Sequence, residues 1–283
     1  MKRIGFAYNP TQEGPIGLRK RAVAWCRGHA VDSWEEEAAN TDALLANLPG
    51  TDVLVVLGGD GTFLRAARAL ARIDVPVIGV NAGKVGFLSK AESEHLEEVL
   101  GQLERAEYKL EPRMMLETWV VHGGREVAYE GPAEVHVALN EAAIVRGAQA
   151  RVVRLELSVD DSHVGTYIAD GIVVASPTGS TGYSSSAGGP ILDPTARNLV
   201  VTPIAGYLAA IRSIVVGPQH TVTVRVIEAH DCLVSVDGRE EMSLRVGDSV
   251  FVRARERPIR FVEPRDALPF WDLLRRKAEL LPH

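Results

Sequence analysis

Residues 53–57 read Val-Leu-Val-Val-Leu, with no polar side chain among them. Successive side chains of a strand point to opposite faces, so a strand apolar on both faces has to be covered on both. The central strand of a parallel sheet layered between helices meets that condition. The flanking sequence supplies the layers. Arg3–Tyr8 and Val75–Val80 read as further strands, while Ile16–Arg27, Ala38–Leu48, Thr62–Arg72 and Glu92–Ala106 carry apolar residues at helical spacing. This alternation over the first hundred residues predicts a doubly wound α/β domain.

The character of the chain changes near Glu111-Pro112. From Met115 to about Ile227 it is rich in β-branched residues, with turn signals at Gly123-Gly124, Asp160-Asp161 and Gly217-Pro218. Leu233–Val236 runs into Asp237-Gly238, a hairpin signal. An all-β, sandwich-like second domain is expected. Ala267–Leu281 is helical again and carries Phe270, Trp271, Leu273 and Leu274, so it needs a surface to cover. The expected organisation is 1–110 as the α/β domain, 111–262 as the β-rich domain, and 263–283 as a C-terminal segment packing back on the N-terminal domain.

Charge and cysteines narrow the function classes. With 31 basic and 37 acidic residues the formal charge is −6, against a general nucleic-acid-binding surface but not against a small phosphate-bearing ligand. The most apolar long stretch, Leu199–Gly217, is interrupted by Pro203 and Arg212, and the apolar run after Lys2-Arg3 is brief; neither a membrane span nor a secretion signal is expected. Cys26 and Cys232, far apart and alone, form neither a zinc ribbon nor a disulfide framework, so a reducing cytoplasm is expected.

Gly58-Gly59-Asp60-Gly61-Thr62 lies between the buried strand and the next helix, where ligands bind in open α/β sheets. Glycines let the backbone approach a ligand, and the free N–H groups of a helix start favour an anion. Gly58, Gly59 and Thr62 form a candidate phosphate loop, with Thr62 able to cap the helix or reach a phosphate oxygen. Asp60 repels phosphate, which suits orienting an acceptor hydroxyl or helping to hold a divalent cation. The structural alternative is a tight turn with Asp60 as local cap. No Walker-type loop, no Gly-x-Gly-x-x-Gly after the first strand, no nucleophile elbow and no His-Glu-x-x-His run is present.

Asn81-Ala82-Gly83-Lys84-Val85-Gly86-Phe87-Leu88 also follows a buried strand and makes a second candidate ligand loop, in which Lys84 meets a phosphate or is simply solvated. Asn140-Glu141 ends an apolar β-type run and offers an amide and a carboxylate suited to sugar hydroxyls, unless it is only a turn. The stretch from Asp170 to Pro190 joins a buried strand to a loop dense in hydroxyls. Those donors suit a base or pyrophosphate, and Tyr183 offers a stacking face.

Taken in order, Gly58–Thr62, Asn81–Leu88, Asn140-Glu141, and Asp170-Gly171 followed by Ser176–Pro190 resemble the motif series of the NAD kinase family. The domain order agrees across nearly the full chain. Gly-Gly-Asp-Gly-Thr alone is shared with lipid kinases and, in near form, phosphofructokinases; the four motifs together are specific. The chain departs from the pattern at Ser176 (usually Thr) and Gly182 (usually Ala), both small for small. It departs again at Ile168, where relatives often carry a polar or charged residue or Gly, which bears on preference between oxidised and reduced dinucleotide.

The resemblance implies transfer of the terminal phosphate of ATP, or in some members polyphosphate, to the adenosine-ribose 2′-hydroxyl of NAD. It implies Asp60 as general base, Gly61 against the dinucleotide, and an NAD site lined by Asn140, Glu141, Asp170, Thr181, Gly182, Tyr183, Ser184, Ser185 and Ser186. Arg65, Arg151 and Ala205 fall at or near ligand-contacting positions. Mg²⁺ or another divalent cation would accompany ATP, since the glycine loop has no positive side chain to offset the phosphates. A homodimer or homotetramer is expected. The rivals are a lipid or sugar kinase built on the same loop and a dinucleotide-binding regulator without turnover.

Overall fold

The computed structural model describes residues 2–83, 86–123, 134–148, 151–206 and 212–279. They divide into two compact units, Met1–Pro112 with Ile259–His283, and Arg113–Pro258.

In the first unit β1 (Arg3–Tyr8) pairs in parallel with β2 (Asp32–Glu37) on one side and β3 (Val53–Leu57) on the other. Next come β4 (Val77–Asn81), parallel to β3, and the short β5 (Ser89–Glu92), parallel to β4. Every residue of β3 is fully buried, as its composition requires. Helices α1 (Glu13–Gly28), α2 (Thr41–Asn47), α3 (Asp60–Arg72) and α4 (Leu96–Glu104) make the connections. α1 and α4 cover one face, where Leu18 and Cys26 join Leu100, Phe6 and Val55 in one core. The order β2-β1-β3-β4 reverses direction between β1 and β3, which places a switch point at the carboxyl end of β3. β6 (Tyr108–Arg113) ends the unit's first pass.

Several elements differ from the sequence pattern. The pattern gives no sign of β2, whose Asp-Ser-Trp-Glu-Glu-Glu sequence has no fully buried residue; it is an edge strand, and edges tolerate charge. Its Trp34 packs inward, the ring filling the space above Gly5: a Cβ there would sit 2.3 Å from it. The helix expected over 38–48 begins only at Thr41, because Asn40 Oδ1 accepts from the Ala43 amide at 3.2 Å and caps it. The helix expected from Glu92 starts at Leu96, after a 3₁₀ turn at Ser93–His95.

The second unit contains β7 (Leu116–Val121), β8 (His136–Ala138), β9 (Glu141–Arg146), β10 (Val153–Val159), β11 (Ser162–Ala169) and β12 (Gly171–Ala175). A 3₁₀ turn (Thr178–Thr181) and the single-turn α5 (Tyr183–Ser186) follow, then β13 (Leu199–Ile204), β14 (Ile214–Val216), β15 (Thr221–Glu228), β16 (Cys232–Val236), β17 (Glu240–Leu244) and β18 (Ser249–Ala254). Two six-stranded sheets result, ordered β11-β10-β15-β18-β7-β8 and β14-β13-β12-β9-β16-β17. Leu155, Val224 and Val252 of one pack with Ile144, Val174 and Val234 of the other, which is the core of a sandwich.

The chain then returns to the first unit. β19 (Ile259–Pro264) pairs in parallel with β4 at Phe261↔Val77, and β6 lies beyond it. Phe261 stacks on Phe63 of α3 at 4.9 Å between ring centroids. α6 (Phe270–Glu279) is the expected C-terminal helix: Phe270 lies 6.3 Å from the Phe87 ring, with Lys277 Nζ 4.8 Å above that ring. No helix among the described residues is long and apolar enough to cross a membrane.

Candidate functional site

The glycine loop of the first unit is built around the turn from β3 into α3. Gly58 has φ +149°, and a Cβ there would meet Thr62 Oγ1 at 2.7 Å, so only glycine fits. Gly59 is the N-cap, and its carbonyl accepts from the amides of Thr62 and Phe63 at 2.9 and 3.1 Å. Thr62 is buried against Gly58 and neither caps the helix nor lines an open face. Its expected place in a phosphate loop is thus a packing position beneath the turn. The amides of Asp60 and Gly61 have no acceptor among the described residues, so the helix start keeps donors for an anion.

Asp60 is the first residue of α3, where a negative charge is favoured by the helix dipole. Its carboxylate reaches across to the second glycine loop: Oδ2 accepts from the Phe87 amide at 2.9 Å and Oδ1 from the Leu88 amide at 3.1 Å. Gly86 makes this approach possible, since a Cβ on it would lie 1.8 Å from Asp60 Oδ1. Asp60 thus clamps two loops together, while each oxygen retains capacity for one more donor. Arg65 follows Gly61 by four residues, on the same helix face, and its Nε is buried with no partner among the described residues. Asn81 is buried and its Oδ1 accepts from Gly83. Lys84 and Val85 lie outside the described residues.

In the second unit the expected residues fall at two ends of one sheet. β9 and β12 run antiparallel with Glu141 opposite Ala175 and Val145 opposite Gly171. Asn140, Glu141 and the Thr181–Ser186 segment therefore cluster at one end. Asp170 and Ala205 sit at the other, where Gly171 pairs with Ile204. Four residue steps along β12 separate them by roughly 13 Å. Asn140 follows the end of β8 at Ala138 by two residues, and Glu141 is the first residue of β9.

The first end is tightly sewn. Ser176 Oγ donates to Leu139 O at 2.5 Å and its amide to Asn140 O at 2.8 Å, while Gly179 lies so close to Asn140 O that a Cβ would be 2.1 Å away. Ser180 Oγ donates to Pro177 O and accepts from Leu192 N, and Thr181 Oγ1 donates to Thr178 O. Ser184 is fully buried with its hydroxyl 3.2 Å from Thr202 Oγ1. Ser184, expected beside the ligand, is joined through this contact to β13. Tyr183, 41% exposed, and the exposed Ser185 and Ser186 remain open, with Gly182 half-exposed before them.

Glu141 is buried, and its side chain accepts from the Tyr183 amide. Burial, and then the negative charge of Asp237, push its carboxyl up to about 7, against the pull of the Tyr183 amide. Asn140 Oδ1 and Glu141 Oε2 are buried with no partner among the described residues. Buried polar atoms left open cost free energy, which a ligand that pairs with them would recover.

At the other end Asp170 Oδ1 accepts from Arg146 Nε at 2.8 Å, and the two residues are also joined through Arg146 N and Asp170 O. Ala205, exposed, has φ 47°. Arg151 Nη1 lies 2.6 Å from Nε2 of His230, which precedes β16 by two residues, where Cys232 pairs with Arg146. Arg146 and Asp237 touch these candidate residues, and the motifs did not reveal either of them. Asp237 appeared only as a turn signal, and Arg146 becomes visible once β9 and β12 are paired.

Comparison with known proteins adds to this geometry. Residues 11–108 match the ATP-NAD kinase N-terminal domain and residues 139–264 the ATP-NAD kinase C-terminal domain. The chain is 40% identical to the NAD kinase of Heliobacterium modesticaldum over 99% of both chains, and 33% identical to that of Caldanaerobacter subterraneus subsp. tengcongensis over 98% of this chain and 99% of the relative. Among solved structures, it is similar to an NAD kinase from Archaeoglobus fulgidus in complex with ATP, with TM-score 0.77 and 25% identity over 99% of this chain and all of that one. Yeast NADH kinase complexed with NADH has TM-score 0.83 and 23% identity over 99% of this chain and 87% of that one.

Proposed function

The chain belongs to the NAD kinase family, and from that premise we propose how its own residues carry the ATP-dependent phosphorylation of NAD to NADP. The observation that carries the proposal is the pinned carboxylate of Asp60. With both oxygens already held by the Phe87 and Leu88 amides, its orientation is fixed before any substrate arrives. The free amides of Asp60 and Gly61 at the start of α3 offer a place for phosphate oxygens.

In the reaction the adenosine-ribose 2′-oxygen attacks the terminal phosphorus of ATP, the bond to the bridging oxygen breaks, and ADP leaves. The 2′-hydroxyl proton passes to Asp60. Little proton removal is needed early in a loose phosphoryl-transfer transition state, so a carboxylate suffices as late acceptor. Asn140, Glu141, Tyr183, Ser185 and Ser186 recognise the dinucleotide, with Arg65, Gly182, Asp170 and Ala205 as further contacts; Thr181 supports the loop. Among the described residues no three His, Cys, Asp or Glu gather as a metal site. The glycine loop has no positive side chain to offset the phosphates, so a divalent cation, Mg²⁺ in the first instance, would accompany ATP as part of the substrate.

The buried, free Cys26 and Cys232 support a reducing, cytoplasmic setting. A homodimer or homotetramer rests on the family resemblance and is read by light scattering. The deciding assay incubates the chain with Mg²⁺-ATP and NAD and measures NADP. Dinucleotide binding with no NADP formed would leave a regulator in place of an enzyme.

A further inference from the structure

Asp237 stands at the start of the turn between β16 and β17 in the left-handed region, φ 50°, with the Arg239 amide closing on Val236 O at 3.2 Å. Its buried carboxylate accepts from three consecutive amides: Leu139 at 2.9 Å, Asn140 at 2.8 Å and Glu141 at 3.1 Å. Its own amide donates back to Glu141 O at 3.0 Å. Successive amides wrapped around one anion make a nest, and bonds to an ionised acceptor are roughly twice as strong as neutral ones.

The strand ladder does not need this device. β16 is already registered on β9 from Cys232↔Arg146 to Val236↔Ala142. The nest holds the residues just before that ladder, 139–141, and these carry the two buried oxygens without partners, Asn140 Oδ1 and Glu141 Oε2. We propose that Asp237 is a positioning residue for dinucleotide recognition, holding Leu139–Glu141 so that the Asn140 amide and the Glu141 carboxyl meet the ligand together. This rests on the reading that Asn140 and Glu141 bind NAD. Asp237 also acts on Glu141 through space, since its negative charge raises the affinity of that carboxyl for a proton. The pair is therefore coupled in charge as well as in geometry.

The test uses the full chain with Asp237→Asn, Glu141→Gln and both together, reading the NAD Kd by calorimetry and KM for NAD and ATP separately. Asp237→Asn should raise Kd and KM for NAD about tenfold, with less than threefold change in KM for ATP or in kcat at saturating NAD. Because Asp237 acts through the 139–141 segment, the double variant should lose little more than the worse single one. Gly238→Ala is the control for the turn alone: its φ is +67° and a Cβ there meets nothing within 4 Å, so it should lower Tm and leave KM for NAD unchanged. If Asp237→Asn does not fold, Asp237→Ser keeps an uncharged acceptor in the nest and gives the same comparison. Multiplicative losses in the double variant, or an unchanged KM for NAD in the Asp237 variant while Glu141→Gln is impaired, would overturn the proposal. Unchanged NAD binding in both Asn140→Ala and Glu141→Gln would remove the underlying recognition reading, and the proposal with it.

Discussion

The Phe87 amide donates to Asp60 Oδ2 across 2.9 Å, joining residues 27 positions apart in two different glycine loops. The aspartate proposed as proton acceptor is therefore also a tie between loops. Asp60→Asn should lower kcat by about 10²–10⁴, the usual worth of a positioned acid or base. It should also cost roughly 1–3 kcal/mol of stability, because the new amide turns a donor toward one of the two backbone donors. Turnover assays with parallel urea unfolding separate the two losses, and near-parental kcat would exclude Asp60 as proton acceptor.

Gly86→Ala tests the same tie from the other side. The added Cβ would lie 1.8 Å from Asp60 Oδ1, so the carboxylate must swing away or the loop must move. Overpacking of this kind costs about 1–3 kcal/mol, and turnover should fall along with Tm. An alanine variant with full activity would show that the Asp60 orientation does not matter.

Glu141→Gln should change how stability depends on pH. The carboxyl is raised from 4.5 to about 7, so between those values the folded chain keeps a proton that the unfolded chain has lost. Unfolding free energy consequently falls as pH rises through that window, by up to about 3 kcal/mol. Glutamine removes the effect. The variant should exceed the parent in stability at pH 8 and match it near pH 4, as urea unfolding at several pH values will show.

Tyr183→Ala should leave stability within about 0.5 kcal/mol, since the side chain is 41% exposed. Stacking of a base on an aromatic ring is worth about 1–3 kcal/mol, so KM for NAD should rise roughly tenfold with little change in KM for ATP. Steady-state kinetics with each substrate varied in turn distinguish this from a general loss.

Much of the architecture was legible because a few segments allow one environment only. Val53–Leu57 has no polar face, which dictates a central parallel strand, and β16 into Asp237-Gly238 dictates a hairpin. β2 was not legible, because an edge strand can be written in glutamates and then carries no periodicity. In the Asp170–Pro190 stretch the sequence displays many hydroxyls but not their partners. Ser176, Ser180, Thr181 and Ser184 bond inward, and only the fold distinguishes them from the open Tyr183, Ser185 and Ser186. Asp237 lies 96 positions from Glu141, so its three amide bonds exist only in three dimensions.

The late arrival of β19 sets an order of assembly. Phe261, the ring that supports Phe63 on the helix beginning at Asp60, is separated from that helix in sequence by the whole β-rich unit. A chain emerging from the ribosome can close its sandwich before this strand exists, since domains fold as units during synthesis. The helix bearing the proposed proton acceptor thus gains its last aromatic support only near the end of translation. Until then the nascent chain holds a finished β-rich unit and a glycine-loop helix still short of its aromatic support.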